Sequence, residues 1–479
     1  MADESGTALR YFVGLRALPW AISTVLRRLS QSPGLTLRAL LAKAGVKLKG
    51  DLASSNFPAK ASSPTWLSPV KPVKSSVLHL VTNSLPFTQA GYTIRTHNIL
   101  EAQNLAGLSA TAVTRHGYPI NIGKFFSGNI SQVPAFNSKQ QISYHHLIPT
   151  GLSSKNEMDI AVKYLIKLVE KIRPEILHPA TDFVNGEIAA AVAAVTNLPF
   201  AYEVRGFLEQ SWLTKSKANL VESEFYREFL ARETAIMHQA QAITTLSLTM
   251  KNEIMKRGIA ASKIFITPNA VSETLLNNIV EPAAARANLG LAELPTFGIA
   301  TTLYPFENVA LLISAFDQLH QSGNRVQLVI VGDGPELPKL QQQAAASKYA
   351  NYIHLVGRKP FAETINYYQA MDVFCVPRTN SAVTQLVTPL KPLEAMALGR
   401  AVIASDLPAL AELIEHDRTG VLVQPDSLSA LTEALGQLLY DSAYQQQLAN
   451  AAKEWVAATR TWSNVAAQYK EVYQQLGKR

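Results

Sequence analysis

From Pro377 to Ala397 the chain reads PRTNSAVTQLVTPLKPLEAMA, which sets Arg378, Lys391 and Glu394 between a strand end and a helix start. A short apolar run, Asp372 to Val376, leads in, and a helix-forming run, Leu393 to Leu398, closes at Gly399. At such a junction in an open parallel sheet, unpaired backbone N–H groups face outward and attract anions. Arg378 and Lys391 suit a diphosphate there, and the Glu394 carboxylate suits a pair of ribose hydroxyls that donate to it. The same residue types also suit two solvated cations and a glutamate favoured by the helix dipole. Spacing alone leaves both readings open.

A second candidate turn follows the apolar run Val326 to Val331. Gly332, Asp333, Gly334 and Pro335 form it, the glycines letting backbone approach a phosphate and Pro335 opening the next helix. In the first half of the chain, polar residues trail one strand after another. Arg115 and His116 follow one, His178 ends another, and Arg205 and Gly206 follow a third. With Tyr92 and Arg95 on the helix after the first strand, Arg115 and Arg205 are the candidate binding residues of this part of the chain. For Arg205 an ion pair with Glu203 or Glu209 is an equal alternative, and for His178 the alternative is a strand-end histidine with satisfied hydrogen bonds.

The elements that must position these residues are short apolar runs alternating with helical stretches, the pattern of parallel α/β structure. Expected strands are Val77 to Val81, Ala110 to Thr114, Glu175 to His178, Phe200 to Val204, Ala242 to Thr245 and Ile264 to Thr267. A second series follows: Phe297 to Ala300, Val326 to Val331, Tyr352 to Val356, Asp372 to Val376, Ala401 to Ala404 and Val421 to Val423. A chain of 479 residues exceeds one compact core. The expected division is a basic helical segment over 1–49, a Ser/Pro-rich linker over 50–75, a first α/β domain over 76–275, a second α/β domain over 290–455 and a C-terminal helix over 456–479 that returns to the first domain. The join falls in 272–295, around Pro282 and Pro295.

The formal charge of +8 is concentrated at the start, where eight Lys or Arg face only Asp3 and Glu4 within 1–49. The near-neutral remainder argues against a nucleic-acid surface. Apolar residues at Tyr11, Leu15, Leu18, Ile22, Val25 and Leu29 form one stripe opposite arginines, interrupted by Pro19. Such a helix suits an anionic membrane surface or the protein's own body. No apolar run reaches the roughly 20 residues of a membrane span and no signal peptide is evident, so the expected location is the cytoplasm, peripheral to the inner membrane face. The single cysteine, Cys375, excludes a disulfide framework and a cysteine metal site.

From about residue 76 onward the chain resembles the family 4 glycosyltransferases, retaining enzymes of the GT-B fold. The likeness rests on SLP and GYTIRTH between Ser84 and His97, TRHGYP (Thr114 to Pro119), YEVRG (Tyr202 to Gly206), TPNAV (Thr267 to Val271), VGDGPE (Val331 to Glu336), VGR (Val356 to Arg358), VTPLKPLEAMALGRAVIASD (Val387 to Asp406) and TGVLV (Thr419 to Val423). It implies two Rossmann-like doubly wound domains facing across a cleft, with the nucleotide-sugar donor on the C-terminal one (290–455) and the acceptor on the N-terminal one (76–275), where Tyr92, Arg95, Arg115 and Arg205 are the acceptor-side candidates. It also implies ribose binding by Glu394, donor contacts at Gly332, Gly334 and Gly91, a base-bordering loop at Arg358, and a His178 that reaches the transferred sugar.

The chain departs from the family pattern at four places. Leu386 stands where the first glutamate of E-x7-E belongs, Thr302 and Glu307 align with the phosphate-binding arginine and lysine, and Ala90 replaces a glycine beside Gly91. Sequences of this kind resemble a branch with glutamate at that lysine position and lysine in the PLKP turn, which makes Arg378 and Lys391 the expected catalytic cations together with His178. The implied function is transfer of a sugar from a nucleotide-sugar donor to a cell-envelope or exported-glycan acceptor, lipid-linked acceptors included, with no cofactor and no metal. The alternative is a non-catalytic GT-B protein that binds a nucleotide sugar or a protein partner.

Overall fold

The computed structural model describes residues 71–124, 126, 128–147, 157–213, 221 and 223–477. The basic segment expected over 1–49 and the linker as far as residue 70 lie outside the described residues.

Among the described residues fourteen strands run in chain order: β1 Ser76–Val81, β2 Ser109–Thr114, β3 Ile130–Pro134, β4 Gln141–His146, β5 Ile176–Pro179, β6 Ala201–Val204, β7 Ala242–Thr245, β8 Ile264–Ile266, β9 Thr296–Ala300, β10 Gln327–Val331, β11 Ile353–Gly357, β12 Val373–Val376, β13 Ala401–Ser405 and β14 Val421–Val423. Twelve coincide, to within a residue or two, with the apolar runs read from the sequence. The pair β3 and β4 does not. These strands pair antiparallel and alternate exposed with buried residues, so they lack the continuous apolar run of a strand covered on both faces.

The chain forms two compact units. The first takes the chain up to Glu203, then Arg232–Ile243 and the end from Tyr473; the second takes Val204–Ala231 and Thr244–Val472. The join therefore differs from the single crossing expected in 272–295. Residues 244–271 belong to the second unit because Glu412 accepts from the Leu248 and Thr249 amides at 2.7 and 2.6 Å, and Val271 pairs with Thr461.

In the first unit the sheet order is β3-β4-β2-β1-β5, parallel except at the β3–β4 edge. Every residue of β1 and β5 is buried. Tyr473, near the end of the C-terminal helix Trp462–Leu476, lies beside this sheet. Its hydroxyl meets His178 Nδ1 at 2.5 Å and accepts from Gln103 Nε2 at 3.1 Å.

The six-stranded sheet of the second unit is parallel throughout, in the order β11-β10-β9-β12-β13-β14. Alternate residues supply two cores, as the period of two demands. Phe297, Ile299, Val373, Cys375, Ala401 and Ile403 face one layer of helices, whereas Ala300, Phe374, Val376, Val402 and Ala404 face the other. Numbered within this sheet, the order is 3-2-1-4-5-6, the doubly wound arrangement in which the direction of strand addition reverses between the first and fourth strands. That reversal opens a crevice beyond the C-terminal ends of β9 and β12.

Removing the hydroxyl in Tyr473→Phe leaves the buried His178 and Gln103 each without a partner that is present now. The expected result is a loss of about 1–3 kcal/mol of stability, read as a lower denaturation midpoint in urea.

Candidate functional site

The crevice is built by the segments that leave β9 and β12. Thr301 follows β9 directly, and the turn Pro305–Glu307 brings Glu307 back beneath it. After β12, Pro377 turns the chain and Arg378 enters the interior. A short helix, Ala382–Leu386, was not expected from the sequence; Ser381 and Thr384 cap it reciprocally. The helix Lys391–Ala397 then begins at Lys391 itself and ends before Gly399, whose φ of +70° suits glycine.

These segments meet at one carboxylate. Arg378 grips Glu307 with both arms of its fork, Nη2 to Oε1 at 2.8 Å and Nε to Oε2 at 3.2 Å. Lys391 Nζ lies 3.8 Å from Glu307 Oε1 and donates to Thr301 Oγ1 at 2.5 Å. Burial by itself would push the Glu307 carboxyl up, but Arg378 and Lys391 outweigh it and hold it below the usual range. The Lys391 ammonium sits below the ordinary lysine value, mainly through burial and partly through Arg378, while Glu307 and Glu394 oppose the fall.

The two expected cations are not equivalent. The Arg378 side chain is 9% exposed and committed to Glu307, with Nη1 turned to the Val387 carbonyl at 3.4 Å. The Lys391 side chain is 31% exposed. Lys391 is thus the cation that a ligand in the crevice would meet. One turn along, Glu394 accepts from the buried Tyr368 hydroxyl at 3.0 Å. Burial raises the Glu394 carboxyl to about 7, against the smaller opposing effects of Tyr368 and Lys391.

Gly332 and Gly334 have a packing reason that the sequence did not show. A Cβ on Gly332, at φ +146°, would stand 1.8 Å from the Thr301 carbonyl oxygen, and one on Gly334 would stand 2.7 Å from the Leu303 backbone. The Thr301 and Leu303 amides donate to Val331 and Asp333 at 2.9 and 3.0 Å. The glycine turn therefore latches the loop that carries Thr301. Gly91, at the start of the helix Gly91–Leu105, is different: a Cβ there meets nothing within 4 Å. Arg358 is exposed immediately after β11, the edge strand.

In the first unit, His178 is wholly buried in β5, stacked on His79 at 4.7 Å and bonded to Tyr473, so the sugar-reaching position expected for it is not the one it occupies. Arg95 likewise turns inward, its side chain 3% exposed and paired with Glu203 at 3.0 Å. Arg115 remains partly exposed and donates to Asp182 at 2.5 Å and Thr82 at 3.2 Å. Tyr92 is exposed and accepts from Asn83. Arg205 lies half-buried after β6, while Glu203 pairs with Arg95 and Glu209 with Arg257 without deciding the partners of Arg205. Sequence reasoning missed Thr301 and Tyr368, for which no spacing signal exists, and read Glu307 only as a departure.

Residues 295–441 match the family described as Glycosyl transferases group 1. This stretch is what resembles that family. It holds Thr301, Glu307, Gly332, Gly334, Arg378, Lys391 and Glu394. A GDP-mannose-dependent alpha-(1-6)-phosphatidylinositol monomannoside mannosyltransferase of Mycobacterium tuberculosis is 29% identical over 213 residues, 44% of this chain and 55% of that protein. An alpha-monoglucosyldiacylglycerol synthase of Streptococcus pneumoniae is 26% identical, over 56% of this chain and 61% of that protein. The chain thus spans little more than half the length of these relatives.

Among solved structures, sucrose-phosphate synthase from Thermosynechococcus elongatus superposes with a TM-score of 0.67 at 19% identity, covering 84% of this chain and 99% of that one. Anabaena HepE in complex with UDP gives 0.66 at 15% identity, covering 84% and 100%. The chain has the GT-B fold. Among the described residues no helix is long and apolar enough to cross a membrane.

The glycines picked out by the sequence separate by substitution. Gly332→Ala should lower stability by at least about 3 kcal/mol, since a backbone oxygen blocks the new methyl, whereas Gly91→Ala should leave the thermal midpoint level or slightly raised.

Proposed function

We propose that the chain is a retaining glycosyltransferase that moves a sugar from a nucleotide-sugar donor to a cell-envelope or exported-glycan acceptor, lipid-linked acceptors included. The observation that carries this reading is the set Thr301, Lys391 and Glu394 at the switch-point crevice of a group 1 domain. The relatives add weight to the acceptor class, since two of them are named for glycolipid products or acceptors. Location at the cytoplasmic face, with residues 1–49 against an anionic membrane, belongs to the same proposal.

Transfer breaks the bond between the sugar's anomeric carbon and a phosphate oxygen. Negative charge grows on the leaving diphosphate, and the Lys391 ammonium neutralises it where it develops. Glu394 accepts from the donor's ribose hydroxyls. The acceptor oxygen attacks from the face the phosphate leaves, and the departing phosphate oxygen takes its proton, which yields retention. The nucleotide sugar is the substrate and this reading assigns no cofactor. The polar surface around Tyr92 and Arg115 is assigned to the acceptor.

A second reading, a non-catalytic GT-B protein, gains from Arg378 being committed to Glu307. Thermal midpoints with UDP, GDP, ADP and CMP separate the two. A ligand at about 100 times its dissociation constant adds roughly 2.7 kcal/mol, so one nucleotide should shift the midpoint. Lys391→Ala should then cut turnover by about a hundredfold or more. A nucleotide shift with turnover unchanged in Lys391→Ala removes Lys391 from the chemistry, and no shift with any nucleotide favours the second reading.

Donor binding should follow a bell in pH. Accepting two hydroxyls needs the Glu394 carboxylate, which forms only as pH rises through about 7 in the free chain, so affinity climbs over that range and binding releases a proton. Loss of the Lys391 proton at higher pH, below the ordinary lysine range, reverses the climb. Calorimetric titration in two buffers of different ionisation heat checks both limbs.

A further inference from the structure

The turn Pro305–Glu307 places a buried acid where a phosphate-binding site is expected to hold only cations, and its geometry is too specific for an accident of packing. Both Arg378 fork nitrogens face the two Glu307 oxygens, and Lys391 stands across one of them. Arg378 is too enclosed to reach a ligand while it keeps this pair. Lys391 keeps donors beyond the one given to Thr301.

We infer that Glu307 is a positioning residue: gripped by Arg378, its carboxylate fixes the Lys391 ammonium at the crevice, and Lys391 alone meets the donor's diphosphate. This rests on the donor-site reading above and adds a chain of command to it, Arg378 to Glu307 to Lys391. Without Glu307, two cations would face each other across a partly dry site and the more exposed one would shed its proton or swing into solvent. The charged groups that face Lys391 are Glu307 on the turn after β9, Arg378 on the loop after β12 and Glu394 on its own helix.

The test uses the full chain with Glu307→Gln, which keeps the shape and deletes the charge. In the nucleotide-free protein, acetylation of Lys391 as a function of pH, read by mass spectrometry, reports when its ammonium loses its proton. In Glu307→Gln that titration should move to lower pH by about one unit, the order of a charged neighbour's effect. With donor and acceptor present, kcat should fall about tenfold or more, the alkaline limb of kcat/KM should move in the same direction, and the nucleoside diphosphate should bind at least as tightly as before.

A Glu307→Gln variant with unmoved Lys391 titration, or with weaker nucleotide binding and unchanged kcat, overturns the inference. Glu307→Asp covers the case in which the glutamine variant does not fold. It keeps the charge at a shorter reach, so kcat falls while the Lys391 titration stays with the wild type, and a displaced titration there overturns the inference too. The acetylation readout needs no donor. A wild-type chain that binds no nucleotide sinks the donor-site reading, whereas normal binding with an indifferent Glu307→Gln sinks this inference alone.

Discussion

A carboxylate stays ionised inside a protein only if cations or hydrogen-bond donors stand beside it, and the crevice of the second unit is organised around one such carboxylate, Glu307. Removing it from water carries a penalty of several kcal/mol, which a single loose contact would not offset. The Arg378 fork offsets it with two charge-assisted hydrogen bonds, and Lys391 adds a longer attraction. Three separate segments are fixed by this one requirement: the turn after β9, the loop after β12 and the start of the helix Lys391–Ala397. The backbone follows suit, with the Thr379 amide donating to the Phe306 carbonyl at 3.0 Å.

Beneath that ion cluster lies a rigid base. The parallel strands bury residues of both faces in two apolar layers, so the C-terminal ends of β9 and β12 are held by packing and not by the polar groups they carry. The glycine turn after β10 locks onto the Thr301–Leu303 backbone because no side chain intervenes. Thr301 is thereby set to receive Lys391. Glu394 is set by the same helix from the other side, with Tyr368 as its partner. A site of this kind stays in place without ligand, which is the condition for electrostatic stabilisation of a leaving group.

The two units treat their polar motifs differently in physical terms. In the second, the PLKP turn keeps its lysine partly in solvent. In the first, two polar side chains picked out by sequence, His178 and Arg95, are drawn into the interior by Tyr473 and Glu203. A strand-end position brings a side chain to the edge of a sheet, but it does not decide whether the side chain faces water.

Much of the fold was written in short-range pattern. Apolar runs bounded by turns marked twelve strands, and the order of runs and helices marked two doubly wound sheets, because strand burial and helix amphipathicity are properties of neighbouring residues. Arg378, Lys391 and Glu394 were visible for the same reason, as polar residues beside a strand end. The half-buried β3–β4 edge was not, since its signal is weak alternation. Nor could the sequence tell that Glu307 and Arg378, 71 residues apart, would close on each other, or that His178 would meet Tyr473 across 295 residues. Those pairings depend on which chain segments arrive together in space. Local sequence thus determined the elements and the supply of charge, and tertiary structure alone decided which cation is buried in an ion pair and which is left to meet a ligand.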